Sequence, residues 1–380
     1  MYKSNVKGKV YRLLYKLNEN IRVKVRTPVG ESEWADTGPG VAQGSVSGAV
    51  VSAVSLDNGV KEFFHNDSPE DTGEDKDNNE EENADELVYG EVVLKPILFQ
   101  DDGFEAANSV ESAQLANDKM EKLGESKILT YNLEKCSYLI MGEKKARKKL
   151  QSQINMNPLT LCQSKMKQVM KNKYLGCMLA ASVSQSVSET VGSRIGIAKR
   201  AIYEIRTIIE DSRANYLGAI EVGLNLWDVS VIPMLLFSSE VWTDIPTKVM
   251  KQLDDLGTLF LRNLFGVNKR GCPTVSLYLQ TSTFTMSNRI LLSQLLFYHH
   301  VATLSEDSLA REFFEEQKKD KELPGLVRKC EEILKKWNIL NVQSYSKMAW
   351  KRLMKQMTRK KNTEDLLFWS ESYKKVDTEK

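Results

Sequence analysis

Leu94-Lys95-Pro96-Ile97-Leu98-Phe99-Gln100-Asp101-Asp102-Gly103-Phe104 runs from apolar residues into two adjacent carboxylates and a glycine, then turns apolar again. Asp-Gly between hydrophobic runs is among the strongest short-range signals for a tight β-hairpin. On that reading Asp101 and Asp102 only keep the turn soluble. A second reading starts from electrostatics. Neighbouring carboxylates at a hairpin tip repel each other, and a cation that joins them relieves the repulsion. Magnesium takes oxygen ligands, usually one or two carboxylates plus substrate phosphates. Enzymes that join nucleotides clamp the attacking and leaving oxygens between two such ions. What surrounds the hairpin decides between the two.

The chain has 380 residues, enough for two or three domains. With 41% hydrophobic and 27% charged residues it can bury a sizeable core. Its net charge of +2 argues neither for nor against nucleic acid as a partner. The cysteines (Cys136, Cys162, Cys177, Cys272, Cys330) are odd in number and scattered, with no CxxC pair and no Cys/His spacing suited to zinc. They point to a reducing intracellular compartment, cytoplasm or nucleus. The amino terminus, MYKSNVKGKV, does not read as a signal peptide. The longest apolar run, Val231 to Phe237, is too short to span a bilayer. A soluble protein with no membrane partner is expected.

Charge is strongly segregated along the chain. Residues 1–26 carry Lys3, Lys7, Lys9, Arg12, Lys16, Arg22, Lys24 and Arg26 against Glu19 alone. Val10 to Leu17 reads as helix, and Ile21 to Val25 alternates like a strand with one basic face. A turn-rich loop, Gly38 to Ser45, leads into a small-residue apolar helix over Val46 to Leu56. Residues 67–86 hold eleven acidic side chains and one lysine, a composition that stays solvated and disordered as an insertion. Leu87 to Phe104 reads as a hairpin with the aspartates at its tip. Asn108-Ser109-Val110-Glu111 resembles a capping box, and the helix after it puts Val110, Ala113, Asn117, Met120 and Leu123 on one face. Asn132 to Gly142 reads as a turn feeding a strand, Glu143 to Leu150 as a lysine-rich hinge, and a second strand region ends at Tyr174-Leu175-Gly176.

From residue 183 the pattern becomes helical. Val183, Val187, Val191, Ile195, Ala198, Ile202, Ile205 and Ile209 recur at spacings of three and four, and the outer face is assigned Arg194, Lys199, Arg200 and Arg206. Further helices are expected over Trp227 to Trp242, with a kink at Pro233, and over Val249 to Leu264 and Arg289 to Leu304. Trp227, Trp242 and the His299-His300 pair read as structural.

The order of these features carries more than any one of them. A Gly-x-x-Gln-Gly loop opens a buried helix. A Phe-x-Asp-Asp hairpin follows, then a helix, an Asn-x-x-Lys-Cys strand and a Tyr-Leu-Gly strand leading into helices. The series resembles the palm and thumb of reverse transcriptases of non-LTR (LINE-like) retrotransposons. The resemblance covers roughly residues 1–345 and extends to Ser239-Glu240-Val241-Trp242 and Arg270-Gly271-Cys272-Pro273. Each motif alone is weak, but their order favours the metal reading of the aspartates.

The resemblance implies an α+β fold: a partial polymerase palm, with an antiparallel sheet and packed helices, then a helical thumb and a C-terminal helical region. Its parts would be residues 1–66 (partial palm), 67–86 (acidic insertion), 87–177 (catalytic hairpin and following strands), 178–268 (thumb), 269–345 (C-terminal helices) and 346–380 (lysine-rich tail). It implies that Asp101 and Asp102 hold catalytic Mg2+, Asp102 in a supporting role. Gln43 and Gly44 would lie under the incoming deoxynucleotide and template base, and Lys135 near the leaving pyrophosphate. Tyr174, Leu175 and Gly176 would grip the primer end. Arg194, Lys199, Arg200 and Arg206 would track the phosphates of an RNA template and DNA primer.

The chain also departs from the family. The first catalytic aspartate would lie on a strand before Val10 to Leu17, and the fingers would precede it, so this chain is expected to lack polymerase activity alone. Gly103 stands where relatives carry a bulkier residue. The alternative reading is a transposon-derived, non-catalytic helical module that binds nucleic acid or protein.

Overall fold

The computed structural model describes residues 22–24, 26–27, 30–36, 87–90, 92–94, 96–99, 102–127, 129–211, 216–268, 272–320 and 325–378. The expected helices over Val10 to Leu17 and Val46 to Leu56, the acidic stretch 67–86, and Gln43, Gly44, Asp101, Arg270 and Gly271 lie outside them. The fold is mixed α+β, mostly helical with short sheets. Two units are distinct. Described residues within Met1–Val88, Val93–Tyr138 and Lys145–Gln168 form one, and those within Tyr89–Val92, Leu139–Lys144 and Val169–Lys380 form the other.

Most of the short ladders have their residues within the first unit. β1 (Arg22–Val23) pairs with β4 (Ala35–Asp36), and β2 (Arg26–Thr27) with β3 (Gly30–Glu31). The stretch expected as one hairpin is two: β5 (Leu87–Tyr89) with β6 (Val92–Leu94), then β7 (Ile97–Phe99) with β8 (Asp102–Phe104). Gly90, in the left-handed region at φ 63°, turns the first hairpin. Helix α1 (Val110–Lys127) follows. Its N-terminus is boxed as expected but with a different partner. The Ser112 amide donates to Ser109 Oγ at 3.0 Å and the Ser109 amide to Ser112 Oγ at 3.3 Å, so Ser112 fills the role assigned to Glu111. Val110 and Leu123 are buried.

β9 (Ser137–Tyr138) pairs in parallel with β12 (Lys167–Gln168), while β10 (Thr160–Leu161) and β11 (Ser164–Lys165) form an antiparallel pair. The lysine-rich hinge is helical instead, being the start of α2 (Lys144–Met156), with Ile154 buried. Five of its thirteen residues are Lys or Arg, which favour helix on an exposed face. Gln114 joins α1 to β10 as a strand would. Its Oε1 accepts from the Thr160 amide (2.8 Å) and its Nε2 donates to the Thr160 carbonyl (3.1 Å).

In the second unit, β13 (Lys171–Tyr174) and β14 (Cys177–Ala180) form a hairpin that leads into α3 (Val183–Asp211). The hairpin expected to end the palm thus groups with the helices. After α4 (Tyr216–Leu226) comes a π-helical segment (Trp227–Val231), then α5 (Ile232–Leu235) with Pro233 in its first turn, where its missing N–H is tolerated. The run Gly218–Leu235 is long and apolar enough to cross a membrane by length and composition, at mean hydropathy 1.2. Here it is divided among these three segments, and Trp227, Val231 and Leu235 lie in the core.

The remaining helices are α6 (Thr247–Phe265), α7 (Thr274–Thr281), α8 (Met286–Ala302), α9 (Leu309–Lys319), α10 (Leu326–Lys336) and α11 (Lys347–Thr378). One core cluster centres on Trp227 stacked on Phe260, with ring centroids 4.2 Å apart. A second holds Leu295, Cys330, Trp350 and Met354. The stretch expected as a lysine-rich tail is α11, and it serves both clusters. Trp350 and Met354 pack in one and Leu366 in the other. Between them, Asn362 Oδ1 accepts from the Thr285 amide at 2.9 Å and from Asn288 Nδ2 at 3.2 Å.

Candidate functional site

The acidic hairpin comes first. Phe99 pairs with Asp102 across the ladder, as the first pair of the β7–β8 hairpin. Asp102 is therefore a strand residue beside the tip, and it is exposed. Asp102 is the one member of the aspartate pair among the described residues, and among those residues no group of three or more His, Cys, Asp or Glu could hold a metal ion. Glu105, three residues on, is half-buried, and burial pushes its carboxyl up to about 7 against the opposing pull of Lys119. Lys135 is exposed on the turn before β9, where its amide donates to the Asn132 carbonyl at 3.0 Å. Among the described residues no hydrogen bond or ion pair joins Asp102 to Lys135.

The Tyr174-Leu175-Gly176 stretch is a two-residue turn, Tyr174 pairing with Cys177. Both central residues have positive φ, 45° at Leu175 and 83° at Gly176, as the primed hairpin turns require. Glycine takes that conformation readily; leucine does not. Side chains of α3 hold the hairpin in place. The Met178 amide donates to Thr190 Oγ1 and the Ala180 amide to Ser186 Oγ, each at 2.9 Å, and exposed Lys171 pairs with Glu189.

Arg194 corrects the sequence expectation. It was assigned to the outer face of α3 but is buried, 7% exposed. The reason is its register: it falls on the same stripe as Val187, Val191, Ala198 and Ile202, all buried. Its guanidinium spans three carbonyls, with Nη2 on Gly176 (2.8 Å) and Nη1 on Phe237 (2.7 Å) and Leu235 (3.3 Å). It also lies over the Phe237 ring, 5.6 Å from the centroid. Burial lowers its pKa, opposed mainly by Cys177. Arg194 therefore locks the hairpin turn to the helix and to the chain after α5, and is not placed to meet a phosphate.

Lys199 and Arg200 are exposed as expected. Arg206 is exposed too, but its Nε is paired with Glu210 Oε1 at 2.7 Å, which raises its pKa. Tyr203, 55% exposed, stands one helical turn from both Lys199 and Arg206. An aromatic face among cations can take a stacked base. The sequence signal for it was a tyrosine interleaved with basic residues, which the apolar periodicity obscured. His299 is structural, as read. It is buried, stacks on Trp350 at 5.1 Å, and Nε2 lies 2.9 Å from the Tyr345 carbonyl oxygen. Trp227 and Trp242 are core residues.

The structure thus brings Tyr174, Leu175, Gly176 and Arg194 together, and presents Lys199, Arg200 and Tyr203 outward on the same helix. Comparison with protein-family models, with curated proteins and with solved structures found no match to this chain.

Proposed function

We propose that the chain is part of an RNA-directed DNA polymerase of the non-LTR retrotransposon type, and that its helical unit binds the template–primer duplex. The observation that carries this reading is the Tyr174–Cys177 turn fastened to α3, followed on the same helix by outward cations. A strained turn held rigidly beside a basic helix face can fix the position of a strand end while the helix neutralises phosphates. The Phe99–Asp102 register supports the second half of the reading, because it makes Asp102 the first residue of the returning strand. In the intact enzyme Asp101 and Asp102 would hold Mg2+, which would neutralise charge on the nucleotide phosphates. RNA, DNA primer and deoxynucleotides are the partners this implies.

The test is fluorescence anisotropy with a labelled RNA–DNA hybrid, titrated at several salt concentrations. The reading expects affinity that falls linearly on logarithmic axes as salt rises. Tight binding indifferent to salt, or no binding, rejects it. Because the turn and the basic face both belong to the helical unit, a non-catalytic binding module is the second reading. Mg2+ separates the two. If it strengthens hybrid binding by the chain but not by the Asp101→Ala, Asp102→Ala double variant, the polymerase reading stands; no effect on either leaves only the module.

A further inference from the structure

The helical unit contains a cleft of about 520 Å3 between the π-helical segment, α8 and α11. That is within the range of small-ligand sites. Its polar lining is uneven. Arg289, Lys355 and Arg359 contribute three cations, against the single carboxylate of Asp228. Arg289 pairs with that carboxylate at 2.8 Å and also donates Nε to the Phe284 carbonyl at 3.3 Å, so its orientation is set. Lys355 and Arg359 are one turn apart on α11 and exposed. Like charges at that spacing repel, and both line this cleft.

The uncharged wall is mixed, with Leu224, Leu236, Leu292 and Phe284 forming its apolar part and the hydroxyl residues at 281–283 and 293 its polar part. Ser239 lines the cleft as well and is 1% exposed; its buried Oγ has no hydrogen-bond partner among the described residues. A buried hydroxyl without a partner is costly, and a ligand oxygen reaching it would supply one.

We infer that this cleft binds a phosphate monoester carried on a planar apolar body: a nucleotide, either free or as the 5′-phosphorylated end of a strand. The phosphate is taken by Lys355 and Arg359, with Arg289 alongside, and the base lies against Phe284 and the leucines. A bare anion would use the cations and leave the apolar wall idle; an uncharged nucleoside would do the reverse. The inference stands independently of the polymerase reading, because none of these residues belongs to the hairpin or the basic face of α3.

The experiment is isothermal titration of the full chain with four probes: AMP, adenosine, inorganic phosphate and a 5′-phosphorylated decanucleotide. AMP is expected to bind at least tenfold more tightly than adenosine or phosphate. The decanucleotide binding much more tightly than AMP would identify a strand end as the occupant, and equal affinity a free nucleotide. The Lys355→Ala, Arg359→Ala double variant, both sites being exposed, is expected to keep its circular dichroism and lose at least tenfold in AMP affinity. Asp228→Asn, which removes the only carboxylate among the described residues lining the cleft, is expected to bind AMP several-fold more tightly. The inference is overturned by phosphate binding as well as AMP, by no probe binding at millimolar concentration, or by AMP affinity indifferent to the double variant.

Discussion

Arg194 donates from Nη2 to the carbonyl of Gly176 at 2.8 Å, eighteen residues earlier in the chain. The same guanidinium reaches Phe237 and Leu235, so its loss would take a donor from three carbonyl oxygens, of which that of Phe237 would keep Ser238 Oγ. Hydrogen bonds from a charged donor contribute about 1.5–3 kcal/mol each, and stranded buried groups cost more. Arg194→Leu should therefore lower unfolding stability by about 3 kcal/mol, read as a drop in urea midpoint. Arg194→Lys should recover only part of this, because an ammonium has no planar fork to span several acceptors. A midpoint unchanged in Arg194→Leu would mean that the turn holds itself.

Leu175 sits at φ 45° and is 39% exposed. A left-handed leucine costs roughly 1–2 kcal/mol relative to a residue suited to that region. Leu175→Asn should raise the thermal midpoint, with a gain of about 1 kcal/mol. If the side chain grips a strand end, the same variant should bind the RNA–DNA hybrid more weakly. Stability and binding would then move in opposite directions.

Two half-buried acids make stability depend on pH. Burial raises the Glu105 carboxyl to about 7 and that of Asp254 to about 6, the latter also pushed up by Asp255 and pulled down by the Met286 amide. Both bind a proton more tightly folded than unfolded. Their stabilisation is thus present below the unfolded pKa and is lost as pH rises through the folded one. Urea midpoints should fall between about pH 4 and pH 7. Glu105→Gln and Asp254→Asn should each flatten part of that slope.

Trp350 is 1% exposed and donates Nε1–H to the Leu295 carbonyl at 2.9 Å. Trp350→Ala should cost about 3–5 kcal/mol, as large aromatic truncations do. Asn362→Ala should cost about 1–3 kcal/mol by stranding the Thr285 amide. Both are measured by chemical denaturation. Equal, near-zero effects would show α11 to be loosely held.

Removing Lys199 and Arg200 together should weaken hybrid binding for every sequence alike and reduce the salt slope by about 2. Arg206→Ala should do less, since Glu210 already engages that side chain. A sequence-dependent loss would count against phosphate contact.

The long helix α3 was legible because its buried stripe is almost wholly aliphatic. The one error came from that same stripe. Position 194 is on it, but an arginine was assumed to face water, and the carbonyls it serves lie 18 to 43 residues away in the chain. Helix α11 was illegible for a related reason. Its inward positions run Trp350, Met354, Thr358, Asn362 and Leu366, all buried at a spacing of four. Two polar residues interrupt the apolar pattern, and the groups that satisfy Asn362 are more than seventy residues distant. The β7–β8 hairpin was readable only in outline, because Asp-Gly marks a turn at Asp102-Gly103 whereas both residues are strand residues of β8, paired with Phe99 and Leu98. The cleft was not readable, because its cations come from α8 and α11 and meet only through tertiary packing.

The π-helical segment Trp227–Val231 has a consequence for how this chain tolerates insertion and deletion. A π turn holds one residue more than the α turn it replaces. Losing one residue among Asp228, Val229 and Ser230 would let the segment close into regular α-helix with every backbone bond kept. Helices α4 and α5 would then stay nearly in phase, because the wider turn has already absorbed the extra residue. Trp227 would keep its stacking on Phe260, with centroids 4.2 Å apart, and Gly223 its place beside the side-chain ends of Leu264 and Ile209. A single-residue deletion inside the π turn would thus leave the larger core facing as it does, whereas one in the regular turns of α4 would swing its buried face by about 100°. An alanine replacing Val229, which is 75% exposed, would pass almost unnoticed.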